Sequence, residues 1–273
     1  MLESASLLRQ ILREAPFRSV CKIVARLGLT SWKTAVDFDA LPYASYAVGL
    51  QIAARYAEMF GVEEFSAIEC GVAGGTGLMT LATHAKHIPQ CTQIVGFDSG
   101  TGLPPPHDWR DMPWMCQSGD FPCDVDALRH RLNGSAELVL GDISDTFPAW
   151  IRGQHLPVGF ISIDTDYYSS AVSILKVLAT CDVSQMLPIV SMYCDDVCIF
   201  STPRCVGELA AIADFNSSNL PRRFIDRCEW LPPDRAFKDA YWLRRMFDLY
   251  SFEHPAMRHP AKLPSNWAIR VAP

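Results

Sequence analysis

Residues Phe65–Leu78 read FSAIECGVAGGTGL. The first six, Phe65–Cys70 (FSAIEC), are a short apolar run with the length of a strand buried on both faces. Gly71-Val-Ala-Gly74-Gly75-Thr-Gly77 follows, and Leu78 opens a helical pattern that continues to Ile88. Strand, glycine turn and helix start together make a cofactor cradle. Glycines let the backbone approach a ligand, and a helix N-terminus offers free N–H groups. The loop departs from the dinucleotide fingerprint G-x-G-x-x-G because position 73 is Ala, and no Gly-Lys-Ser/Thr follows to make a phosphate loop. An acid near the strand end, Glu69, followed by Gly-x-x-Gly-Gly suits a cofactor with an amino-acid tail. A ligand-free strand–helix turn is the competing reading of the loop alone.

Outward from this stretch, short apolar runs alternate with helical patterns over about residues 63 to 235. The runs are Gln93–Phe97, Glu137–Leu140, Val158–Ile163 and Pro188–Tyr193. Helical patterns fall at Val125–Leu132, Ser170–Ala179 and Val206–Asn216. This alternation predicts an α/β fold with a doubly wound, mostly parallel sheet. Acids follow the strands. The second strand ends Gly96-Phe97-Asp98-Ser99 and the third Gly141-Asp142. An acid at such a strand end can accept hydrogen bonds from ribose hydroxyls, and three on consecutive strands predict a binding crevice.

The fourth and fifth strands carry two pairs of acids, Asp164-Thr165-Asp166 and Asp195-Asp196. On one rim these carboxylates repel unless a cation sits among them. Oxygen ligands favour magnesium, calcium or manganese. Such an ion can hold substrate oxygens and lower a hydroxyl pKa, while a spare carboxylate takes the proton. Helix capping by Asp166 or Asp196 is the plainer alternative, but capping needs one acid per helix and here there are two pairs.

Residues 1 to about 62 read as a helical N-terminal extension or cap, with a strong helical period over Tyr46–Phe60; residues 63–273 form the main domain. The first 29 residues are amphipathic, with Leu7, Leu8, Ile11 and Leu12 at helical spacing. They lack the apolar core of a signal peptide, and Glu3 and Glu14 count against a mitochondrial presequence. Ala240–Phe252 predicts an antiparallel edge hairpin. Residues 104–123 (PPPHDWRDMPWMCQSGDFPC) form a lid-like insertion leaving the rim that carries the acids, or else a surface excursion packed on its own aromatics. His84 and His87 share a helix face and are expected to be a polar face, and Arg244-Arg245 a solvated or ion-paired one.

The 273 residues, 49% hydrophobic and 20% charged, exclude a disordered chain, a collagen-like repeat and a coiled coil. A net charge of −6 gives no overall footprint for nucleic acid. No apolar run reaches the roughly 20 residues of a membrane span. Ten cysteines without a C-x-x-C pair fit buried thiols in a reducing, cytoplasmic setting. The N-terminal helices and the hairpin can pack on the domain or on another subunit, so a homo-oligomer stays open.

Taken together, the Glu69–Gly77 loop, Gly96-Phe-Asp-Ser-Gly-Thr-Gly-Leu-Pro104, Gly141-Asp-Ile-Ser-Asp-Thr-Phe-Pro148, Asp164-Thr-Asp-Tyr-Tyr-Ser-Ser170 and Asp195-Asp196 resemble a class I S-adenosylmethionine-dependent methyltransferase. More narrowly they resemble the macrocin O-methyltransferase (TylF/MycF-type) family over about residues 45 to 215. Gly100-Thr101 stands where that family's block reads Phe-Glu. Ser169 stands where its DxDLYEST block has Glu, and Ala171 where it has Thr. The resemblance implies a Rossmann-like methyltransferase fold and transfer of a methyl group from S-adenosyl-L-methionine to a hydroxyl of a small molecule, a sugar or natural-product intermediate. It implies that Glu69 and the Gly71, Gly74 and Gly75 backbone hold the methionine end. Asp98, with Ser99 beside it, would hold the ribose, and Asp142 would lie near the adenine. Asp164, Asp195 and Asp196 would hold Mg2+ or another hard divalent cation, with Asp166 as base and Asp164 as a second candidate. Two other readings compete: a nicotinamide-dependent oxidoreductase and a non-catalytic interaction module on the same fold.

Overall fold

The computed structural model describes residues 16–199 and 202–261. The run FSAIEC forms strand β1 (Phe65–Cys70), buried at every position. It lies in a seven-stranded sheet of order β3-β2-β1-β4-β5-β7-β6. β2 (Cys91–Asp98), β3 (Glu137–Leu140), β4 (Val158–Ile163) and β5 (Met186–Cys194) continue the sheet in parallel. The chain runs outward from β1 through β2 to β3, then returns to place β4 on the other side of β1. That reversal opens a crevice beyond the C-terminal ends of β1 and β4 and puts helices on both faces of the sheet. The fold is therefore the Rossmann-like, doubly wound one expected.

Eight α-helices are described: α1 (Pro16–Arg26), α2 (Trp32–Asp37), α3 (Ala44–Phe60), α4 (Thr76–Ala85), α5 (Val125–Leu132), α6 (Ile143–Gly153), α7 (Tyr168–Thr180) and α8 (Gly207–Asn219). α3 packs against β4, β5 and α4, while α6, α7 and α8 touch in series. Twelve of the seventeen residues of α3 are buried, including Tyr46 and Tyr56, so it is a core helix rather than a surface one. The amphipathic pattern at Leu7–Leu12 lies outside the described residues. No helix among the described residues is long and apolar enough to cross a membrane. All ten cysteines are free.

Two elements differ in detail from the sequence reading. The Gly141–Pro148 block opens α6, with Asp142 as its N-cap and Pro148 inside it. Its signal was Ile143, Phe147 and Ile151 at four-residue steps, interrupted by the proline. The antiparallel edge is also built differently. Tyr241–Arg245 winds into a 3-10 turn, and β7 (Met246–Ser251) pairs antiparallel with β5 and with β6 (Arg223–Arg227). β6 reads RFIDR, too charged to stand out as a strand. Arg223 is nevertheless 1% exposed, with its guanidinium satisfied by Glu253 and the Cys181 carbonyl.

Candidate functional site

The crevice at the switch point is a cavity of about 730 Å3. Its wall includes Glu69, Gly71, Gly74, Gly75, Asp98, Ser99, Asp142, Asp164, Asp166, Asp195 and Asp196, so the acids and glycines picked out along the chain meet in one place. Tyr43, Leu103, Ser118 and Phe121 complete it from other segments.

The glycine loop is shaped by close approach. Gly71 has φ +88°, and a Cβ there would stand 1.7 Å from the Asp164 carbonyl oxygen. β1 and β4 are thus drawn together at the crevice, with the Asp164 N–H donating to the Cys70 carbonyl at 2.9 Å. Gly77 performs the same service for Glu69: a Cβ would meet Glu69 Oε1 at 1.9 Å. Glu69 is 2% exposed. Its Oε1 accepts from the Tyr46 hydroxyl at 2.6 Å, and its Oε2 is buried with no partner. Burial pushes the Glu69 carboxyl up to about 8, against the opposing hydrogen bond from Tyr46. A buried carboxylate oxygen without a donor, at the foot of a glycine cradle, fits an ammonium group.

Asp98 does more than face the cavity. Its Oδ2 accepts from the N–H groups of Val72 and Ala73 at 2.9 and 2.8 Å, and its Oδ1 from Gly100 at 2.7 Å. It holds Ala73 at φ +44°, the left-handed conformation that a glycine would adopt more readily. Carboxylate oxygens keep acceptor capacity beyond these bonds, so a ribose hydroxyl can still be accommodated. Ser99 shapes the next turn by donating to the Gly102 carbonyl at 2.7 Å. Asp142 caps α6, accepting from the Ser144 N–H at 2.8 Å and hydroxyl at 2.7 Å, which hold its carboxyl below the usual range. Replacing Asp98 with Ala leaves three backbone N–H groups without their acceptor. The expected result is a melting point several degrees lower and S-adenosylhomocysteine binding weakened about tenfold or more, read by calorimetry.

The acid rim is compact. One carboxylate oxygen from each of Asp164, Asp195 and Asp196 can be chosen so that all lie within 4.8 Å of one another. Burial, then Asp195 and Asp196, push the Asp164 carboxyl well above the usual range. Burial, then Asp166 and Asp195, push Asp196 up to about 7. Asp166 is raised mainly by burial. Asp195 is partly compensated: its Oδ1 accepts from the Tyr193 hydroxyl at 2.6 Å and from Arg245. A set of oxygen donors strained by mutual repulsion fits a hard divalent cation. Asp166 stands at φ +56°, donates its N–H to Asp196 Oδ2 at 3.1 Å, and receives the Cys116 thiol at 3.5 Å.

The 104–123 insertion comes back over the site. Ser118, Gly119 and Phe121 line the cavity, and Asp111 and Cys116 touch the segment after β4. Trp109, Trp114 and Phe121 remain more than half exposed, so its aromatics do not form a private core.

Several participants were not singled out from sequence. Glu208, 2% exposed at the start of α8, accepts from the Asp196 N–H at 3.1 Å. Burial pushes its carboxyl well above the usual range. It follows a run of uninformative residues and gives no linear signal. Tyr46 sits in the helix that carries the period. Arg245 lies within a pair read as solvated or ion-paired, and its ion pair is with the rim itself. His84, expected on a polar face, is buried: its Nε2 meets the Pro42 carbonyl at 2.9 Å, and its Nδ1 accepts from the Trp32 indole at 3.3 Å.

No family model matches this chain, and neither does any curated protein. Among solved structures it is similar to CalS11, a calicheamicin methyltransferase, with 20% identity, 91% of each chain covered and a TM-score of 0.54. A second, apo structure of CalS11 aligns at 19% identity over 91% of this chain and 93% of the other, with a TM-score of 0.47. The O-methyltransferase NovP aligns at 14% identity over 63% of this chain and 72% of its own, with a TM-score of 0.49. The first of these likenesses is one of fold over nearly the full length.

Proposed function

We propose that this protein is an S-adenosylmethionine-dependent, divalent-metal-assisted O-methyltransferase acting on a hydroxyl of a small molecule, a sugar or natural-product intermediate. The observation that carries the reading is one continuous cavity lined by two chemically distinct sets of groups. One is the glycine cradle with the partnerless oxygen of Glu69; the other is the carboxylate triad. The fold shared with a calicheamicin methyltransferase supports the same reading.

In this reading Glu69 Oε2 takes the ammonium of the methionine end, and the Gly71–Gly75 backbone supports the adjacent carboxylate. Asp98 holds the loop and faces the ribose. Asp164, Asp195 and Asp196 hold the metal, which supplies a lowered hydroxyl pKa and a fixed acceptor oxygen. Asp166 takes the proton released from that hydroxyl. Arg245 keeps Asp195 aligned through Oδ1 and leaves its other oxygen free. Methyl transfer in line needs alignment more than covalent help, which a rigid cradle and a fixed rim provide.

The first test is calorimetry with S-adenosylhomocysteine, with and without magnesium. Micromolar binding to wild type is the expected result, together with a separate magnesium heat that Asp195→Asn removes. No binding of S-adenosylhomocysteine in either condition would sink the reading.

A further inference from the structure

The insertion meets the start of α7 through one fully buried carboxylate. Asp111 ends the 3-10 turn Trp109–Asp111 and is 0% exposed. Its Oδ1 accepts from the Ser169 N–H at 2.8 Å. Its Oδ2 accepts from the Ser169 hydroxyl at 2.9 Å and from the His107 N–H at 2.7 Å. Ser169 is the second residue of α7, and the N-cap of that helix, Tyr167, makes no side-chain capping bond. The anion at this helix start therefore comes from a segment 58 residues upstream.

The turn just before that helix start is the one that carries Asp166 at positive φ. The insertion grips it a second time. The Cys116 thiol meets Asp166 Oδ1 at 3.5 Å, and the Tyr167 hydroxyl donates to the Cys116 carbonyl at 3.2 Å. Met112, 2% exposed, packs beside Gly207 at the start of α8. A left-handed Asp persists only where its surroundings over-determine it, and these contacts are those surroundings.

We propose that Asp111 is a positioning residue that fastens the 104–123 insertion to the start of α7, fixing Asp166 against the acid rim and the Ser118–Phe121 wall over the cavity. Its bearing on cofactor binding rests on the proposed reading of the cavity; the fastening itself does not.

Asp111→Asn keeps the shape but cannot accept from all three donors, because its amide nitrogen is itself a donor. Ser169→Ala removes one of the three bonds. The measurement is iodoacetamide labelling resolved by peptide mass mapping, with the exposed Cys198 as internal control, alongside melting and S-adenosylhomocysteine titration. In Asp111→Asn, Cys116 labelling is expected to rise about tenfold, with Cys198 unchanged, and S-adenosylhomocysteine affinity to fall about tenfold. Ser169→Ala should fall between that variant and wild type. Cys116 labelling unchanged in folded Asp111→Asn, or an unchanged cofactor affinity, overturns the proposal and leaves Asp111 a helix cap. If Asp111→Asn fails to fold, the Cys116 to Cys198 ratio in Ser169→Ala decides: a rise supports the fastening and no rise overturns it. Failure of wild type to bind S-adenosylhomocysteine would overturn the methyltransferase reading, while the labelling would still decide the fastening.

Discussion

Asp164→Asn is expected to lose divalent-metal binding and at the same time to make the metal-free protein more stable. In the wild type, burial and the neighbouring Asp195 and Asp196 push the Asp164 carboxyl well above its usual range. Among the described residues, the cation in contact with this cluster is Arg245, and it reaches Asp195 alone. A neutral amide at position 164 relieves the repulsion and keeps the shape, so the melting point in EDTA should rise by a few degrees, at about 2–4 °C per kcal/mol for a chain of this size. Removing one of three carboxylates should weaken Mn2+ binding by about a hundredfold or more, read by calorimetry at pH 8. The two results together are the signature of a site that gives up stability for function. A lower melting point in EDTA with Mn2+ binding intact would make the cluster structural.

The second large effect is expected at Glu69. Its folded-state carboxyl sits at about 8, above the ordinary value of 4.5. The stability that this group contributes is therefore fully present below pH 4.5 and is lost as pH rises through about 8. Glu69→Gln keeps an acceptor for the Tyr46 hydroxyl and removes the ionisation. Its melting point should match wild type near pH 4 and exceed it above pH 8. The gap corresponds to a few kcal/mol, at about 1.4 kcal/mol per pKa unit. Comparing the two proteins over the same pH range isolates Glu69 from the other carboxyls. The same variant should bind S-adenosylhomocysteine about 10- to 100-fold more weakly, because a charge-assisted bond to the ligand ammonium is lost. Identical pH–melting curves for the two proteins would contradict the raised carboxyl. Unchanged affinity would remove Glu69 from the cofactor site.

Much of the architecture was legible in the chain because its signals are local. A run such as FSAIEC has the length and composition of a buried parallel strand, and a glycine turn before a helix start marks the crevice of a doubly wound sheet. The acids could be assigned to one rim for the same reason: each follows a strand end, and parallel strands send those ends the same way. What escaped had no local signal. The charged β6 is a strand because β7 lies beside it, and Arg223 is tolerated there because Glu253 and backbone carbonyls satisfy it. α6 was obscured by Pro148 inside it.

The sequence by itself determined the alternation of the five parallel strands with helices, the glycine cradle and the placing of acids at strand ends, since hydrophobic period and turn chemistry act over a few residues. Only the tertiary structure decided which partners those acids have. Asp98 clamps the loop, Asp195 meets an arginine 50 residues away, Glu208 sits behind Asp196, and Asp111 caps a helix from a distant insertion. Hydrogen bonding and burial are set by what lies adjacent in space, and no periodicity along the chain records that adjacency.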